Sequence, residues 1–117
     1  MARESGAPGV SGFDYSGPPE LEPAIASALK RVVDPEMALN IVDLGLVYGV
    51  GIRDGGAHVR ITMTSAACPV TDVIVDDVEN ALDESMPPDL KIHVEVVWEP
   101  PWTPERMSGR ARAFMGW

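Results

Sequence analysis

Cysteine occurs once in the 117 residues, as Cys68, inside the segment TSAACPVTD. The apolar spacing of Val73, Ile74, Val78, Ala81 and Leu82 predicts a helix from Thr71 to about Ser85 directly after it. Pro69 suits a first helical position and Asp72 a first turn. A thiol in that place faces unpaired backbone N–H groups and the positive end of the helix dipole, and both favour the thiolate. The thiolate is the form that attacks electrophiles and binds soft metals. The competing reading is a small buried hydrophobe, because free cysteine is among the most buried residue types. The small neighbours Ser65, Ala66 and Ala67 leave the sulfur accessible and favour the first reading. A lone cysteine also excludes an internal disulfide and any single-chain metal site made only of cysteines.

Thr62, Thr64 and Ser65 bring hydroxyls to the approach to Cys68, where they can hold an anion or hydrogen-bond a sulfur. The plain alternative, strand threonines facing solvent, fits Thr62 better than Thr64. Asp34, Glu36 and Asp43 form an acidic loop group able to ligate metal or move protons. Their simpler roles are structural: Asp34 ends a helix and Asp43 fixes the turn before Gly45. His58 and His93 are the only histidines, and no HxH or HxxxH spacing points to a single-chain zinc site.

These residues hang on a short series of elements. ELEPAIASALKRVV (20–33) reads as a helix, with Leu21, Ile25, Leu29 and Val32/Val33 at helical spacing. Pro23 fits its first turn, and Pro35 disfavours helical geometry at Asp34. Leu46, Tyr48, Val50 and Ile52 alternate as a strand, and Gly49 and Gly51 on its other side mark a bulge or a close backbone approach. Asp54-Gly55-Gly56 signals a hairpin into a second strand with Val59, Ile61 and Met63 on one face. After the second helix, KIHVEVVW (91–98) alternates as a third strand, with Trp98 continuing its apolar stripe over the core. The fold class expected is α+β, a small two-layer sandwich in the order α-β-β-α-β. The C-terminal aromatic and Arg-rich segment is expected to form a short helix from Thr103 or Pro104, weakened at Gly109.

Length and charge narrow the functions. A chain of this size makes one domain and buries roughly 60–70% of its unfolded surface, enough for a core without staples. Residues 1–19 are rich in Gly and Pro and read as a disordered tail, leaving 20–117 as the domain. Phe13 and Tyr15 are its candidates for local docking. No apolar run is long enough to span a bilayer, and the N-terminus lacks a signal-peptide pattern, so the expected location is cytoplasmic. Nine Lys+Arg against 18 Asp+Glu give a net charge of −9, which argues against nucleic acid and anionic membranes as partners. No Lys or Arg lies between Ile61 and Leu90, and Asp72, Asp76, Glu79 and Asp83 share one helical face, a pattern usual for a solvated surface. Trp102, Arg106 and Arg110 in the C-terminal segment are candidates for a binding surface.

Three ordered blocks, DPEMALNIVDLGLVYGV, MTSAACPVTDVI and VVWEPPWTPERMSGRAR, together resemble the SufT/PaaD-like iron–sulfur cluster assembly domain family over about residues 22 to 112. The resemblance implies a compact α+β domain without a deep cleft and an accessory, non-enzymatic role in assembling iron–sulfur clusters or delivering them to client apoproteins. Asp34, Pro35 and Glu36 match the family's acid-Pro-acid start. Asp43 matches the acid before its Leu-Gly pair, and Thr64 and Cys68 match its Thr-x-x-x-Cys-Pro block. Ala66-Ala67 stand where the family often has Pro-Gly. The sequence shows no Cys-containing tail of the PaaD kind, which moves the expectation toward SufT. One thiolate cannot hold a four-ligand cluster alone. Either two chains each give Cys68 in a homodimer, with small thiols completing the set, or contact with the cluster is transient or absent. The implied partners are the assembly scaffold and client apoproteins. Two other roles compete: an accessory protein of a multicomponent phenylacetyl-CoA oxygenase, and a thiol enzyme using Cys68 as nucleophile with Asp43 or His93 as base.

Overall fold

A computed structural model describes residues 13–64 and 70–116. Ser65 and Cys68 lie outside the described residues, as does the tail up to residue 12. The elements are β1 (Asp14–Ser16), α1 (Glu22–Leu29), β2 (Val33–Asp34), β3 (Leu39–Asn40), β4 (Val47–Arg53), β5 (Gly56–Ile61), α2 (Thr71–Ser85), β6 (Lys91–Val96) and α3 (Gly109–Met115). The main elements follow the expected α-β-β-α-β order. One sheet runs β1-β4-β5-β6, with β4 and β5 antiparallel and both outer pairs parallel. The parallel β5–β6 pair follows from the crossover through α2, since parallel neighbours need a long connection and a helix supplies it.

The hairpin forms as its residues require. Arg53 pairs with Gly56, leaving Asp54 (φ 54°) and Gly55 (φ 76°) as a two-residue turn with both residues left-handed. That conformation matches the twist of the flanking strands and suits Asp-Gly. β4 departs from simple alternation. The register shifts between Val47 and Gly49, so Leu46 and Val47 are both buried while Tyr48 turns outward to donate its hydroxyl to Pro100 O at 2.7 Å. The bulge foreshadowed by Gly49 is therefore present.

Two boundaries differ from expectation. α1 stops at Leu29, and Val33–Asp34 instead pairs antiparallel with Leu39–Asn40. Pro35 disfavours helical geometry at Asp34, which suits the extended pairing of Val33–Asp34. The expected tail also ends sooner: Phe13 is buried and Asp14–Ser16 pairs in parallel with Gly49–Gly51 of β4. Burial of the phenyl ring and pairing with β4 together oppose the ordering cost of that short edge strand.

α1 and α2 cover one face of the sheet. Ile25 and Leu29 of α1 and Ile74, Val78 and Leu82 of α2 pack with Val50, Val59 and Ile61 in one core. Among the described residues no helix is long and apolar enough to cross a membrane. Tyr15 joins the edge of this core and donates to Pro18 O at 2.6 Å. Burial first, then the Glu22 and Glu20 carboxylates, raise its phenol above the ordinary value near 10. Above that value the unfolded chain loses the proton before the folded one does. Stability should therefore fall as pH rises from about 10 through the folded value. Urea titrations between pH 9 and 11 should show this slope in the wild type and a flatter one in Tyr15→Phe.

Candidate functional site

The residues singled out around Cys68 emerge from one end of the sheet. β4 enters there and β5 leaves there, and Thr62 N donates to Leu46 O at 2.8 Å across the pair. β6 ends beside them, with Val97 N donating to Ile61 O at 2.8 Å. The chain then passes through Thr64, half-buried, into the segment containing Cys68 and resumes at Val70 before α2. Thr64 and the start of α2 thus bracket the cysteine.

The acidic loop is built from local hydrogen bonds. Asp34 is buried at 1% exposure, and its Oδ1 accepts from Glu36 N at 2.8 Å. Its carbonyl accepts from Ala38 N at 2.8 Å, closing the turn over Pro35. Asp43 is clasped by Asn40, which donates Nδ2 to Asp43 Oδ2 at 2.8 Å and accepts Asp43 N on its own Oδ1 at 2.9 Å. Asp34 and Asp43 therefore shape their loop, while Glu36 is exposed. Among the described residues no three His, Cys, Asp or Glu side chains are grouped to hold a metal ion. Both histidines stand on the open face of the sheet, exposed, with His58 Nε2 2.8 Å from Glu95 Oε1.

Thr62 corrects the expectation of a solvent-facing strand threonine. It is buried at 1% exposure, and its Oγ1 has no hydrogen-bond partner among the described residues. An unpaired buried hydroxyl costs roughly 1–3 kcal/mol. Thr62→Val, which keeps the shape, should raise unfolding free energy by about 1 kcal/mol, read by urea denaturation. A loss of stability instead would mean that the hydroxyl has a partner in solution.

The C-terminal segment closes over the acidic turn. Trp102 donates its indole N–H to Leu44 O at 2.7 Å, and Ser108 N donates to Asp43 O at 2.7 Å. The Arg106 guanidinium lies over the Tyr48 ring, 4.5 Å from its centre. Of the three residues expected to form a binding surface, Trp102 is half-buried with its indole N–H on Leu44 O, Arg106 lies over Tyr48 yet stays exposed, and Arg110 is exposed. Trp98, expected over the core, is 44% exposed. α3 begins at Gly109 and is not broken by it, because Ser108 caps it by accepting from Ala111 N at 3.1 Å. Gly45 is the contact residue that spacing did not reveal. It has φ 76° and lies against the Arg106 carbonyl, where any side chain would collide. Its place after Asp43-Leu44 signalled a turn, but not the segment folded against it.

A family model described as iron–sulfur cluster assembly protein matches residues 22–96. The chain is 44% identical over 97 residues to the Fe-S protein maturation auxiliary factor YitW of Bacillus subtilis, covering 82% of this chain and 94% of that one. It is 43% identical over 86 residues to the Fe-S protein maturation auxiliary factor SufT of Staphylococcus aureus, covering 73% and 97%. A crystal structure of the domain of unknown function DUF59 from Bacillus anthracis superposes with a TM-score of 0.77 at 41% identity, covering 83% of this chain and 92% of that one.

Proposed function

We propose that this chain, which belongs to the iron–sulfur cluster assembly protein family, serves as an auxiliary factor in maturing iron–sulfur proteins. The observation that carries the reading is similarity over nearly the full length of relatives named for that role, 94% and 97% of their chains. In this reading the protein is a carrier or adaptor and not an enzyme, and its partners are the assembly scaffold and client apoproteins. The cluster is its cargo.

Cys68 is the working group in this proposal. Cys68 precedes α2 by three positions in the sequence, and in this proposal its thiolate is a soft ligand favoured by the positive end of that helix. A single sulfur holds a cluster only with help, from a second chain or from small thiols, and loose ligation favours transfer over storage. Thr64 is the proposed hydrogen-bond partner of the sulfur, with Ser65 beside it. Asp43 and Glu36 supply the acidic surroundings, and Asp34 holds the Glu36 backbone in place. Arg106 and Arg110, both exposed, are the proposed contacts for an acidic partner.

The test is anaerobic reconstitution with iron and sulfide, followed by visible absorption, together with complementation of a cluster-maturation defect. Cys68→Ser should lose both the absorption band and complementation. Full complementation by Cys68→Ser would remove the thiolate role. Complementation that needs Cys68 without any Cys68-dependent band would leave an adaptor that does not hold the cluster.

A further inference from the structure

The face of the sheet away from the helices carries a groove of about 530 Å³. Strand alternation builds it. Register pairs Asp14 with Gly49 and Arg60, and Ser16 with Gly51 and His58, so these residues share the open face. β1 forms one wall and β5 the other, and β4 between them carries only glycines at those positions. Glycine weakens a strand, and its recurrence here keeps space clear. Nothing lies within 4 Å of where a Cβ on Gly51 would stand. At Gly49 that place is taken by the Arg60 guanidinium, which reaches across from β5.

Two opposite charges face each other over this floor unmatched. Glu95 is the register partner of Arg60 on β6, but its carboxylate lies against His58 Nε2 at 2.8 Å. Asp14 and Arg60 flank Gly49, yet among the described residues no hydrogen bond or ion pair engages either side chain. Their backbones stand two strand spacings apart, about 9–10 Å, and the guanidinium spans part of that distance. A free anion would satisfy Arg60 and be repelled by Asp14, and a free cation the reverse. A ligand carrying both charges on neighbouring atoms satisfies both. Arg53 and Asp54 repeat the balance with one charge of each sign at the hairpin end of the groove.

We propose that this groove binds a small zwitterion of the α-amino-acid class. The carboxylate sits on Arg60, the ammonium on Asp14, and the side chain lies over Gly51 in the open part of the groove. Charge-assisted hydrogen bonds at both ends fix its orientation. The site is on the open sheet face and uses neither Cys68 nor its loop.

The experiment is a titration of the ¹⁵N-labelled full chain at constant ionic strength with L-leucine and two analogues, isocaproate without the ammonium and isoamylamine without the carboxylate. Leucine should give saturable shifts at the Ser16, Gly49 and Gly51 amides, and each analogue should bind at least about tenfold more weakly. Arg60→Gln and Asp14→Asn should each weaken leucine binding about tenfold. Melting curves check that both variants fold, and the analogue series on the unaltered chain stands even where a variant does not. Equal binding of leucine and isocaproate overturns the zwitterion assignment. Failure of leucine to saturate, or a titration unmoved by both substitutions, overturns the site itself.

Discussion

Gly45→Ala is expected to lower the unfolding free energy by about 3 kcal/mol, a fall of roughly 10–15 °C in Tm. Two costs add. The residue sits at φ 76°, where an L side chain is strained, and a methyl group there would collide with the backbone of Arg106. Backbone cannot swing aside as the end of a flexible side chain can. The C-terminal segment must shift, disturbing the Trp102 bond to Leu44 O and the Ser108 bond to Asp43 O. Gly55→Ala provides the control, since Gly55 has the same φ of 76° but nothing within 4 Å of its would-be Cβ. It should cost only the strain, about 1 kcal/mol. Equal melting of the two variants would show that the C-terminal segment does not press on the turn. A larger shift of indole fluorescence toward longer wavelength in Gly45→Ala would show its displacement directly.

That contrast also marks what the sequence alone makes legible. Elements whose residues interact locally are read largely correctly: the Asp54-Gly55 turn, the Ile74, Val78 and Leu82 stripe of α2 and the alternation of β6 each carry their cause within a few positions, although Val73, read into the buried stripe, is 50% exposed. Membership in the family is equally plain, because three separated blocks occur in order. What escapes reading depends on partners far away in the chain. Trp102 meets Leu44 across 58 positions and Tyr48 meets Pro100 across 52, so neither aromatic shows from spacing whether it faces solvent or core. Trp98 continues an alternating stripe yet lies past the end of the strand, and alternation stops predicting burial where pairing stops. Thr62 follows a strand whose other polar residues face water, yet it lies past the end of that strand and is buried. At the candidate site, by contrast, the structural roles read for Asp34 and Asp43 are local ones, made with the Glu36 amide and Asn40 two and three positions away.

Leu82→Ala should cost about 3 kcal/mol, and its effect should depend on salt in a way that exposes how α2 is held. The helix carries Asp72, Asp76, Asp77, Glu79, Asp83 and Glu84 and no Lys or Arg. Asp72 lies at the favourable end of its dipole, whereas Asp83 and Glu84 lie at the unfavourable one. Like charges three and four residues apart add repulsion of a few tenths of a kcal/mol per pair. Burial of Ile74, Val78 and Leu82, each fully enclosed, must outweigh these terms. Removing the Leu82 side chain leaves a cavity close to Asp83 and Glu84, beside Ser85, whose Oγ accepts from the Arg31 guanidinium at 3.0 Å. Screening weakens exposed repulsion within a Debye length of roughly 8–10 Å at physiological salt. Raising sodium chloride should therefore recover part of the loss, and urea titrations at low and high salt measure it. Val73→Ala, on the same helix but 50% exposed, should change stability by less than about 0.5 kcal/mol at either salt. A Leu82→Ala loss identical at both salts would mean that packing alone holds α2. In that case its acids are free to serve a partner without weakening the fold that carries Cys68.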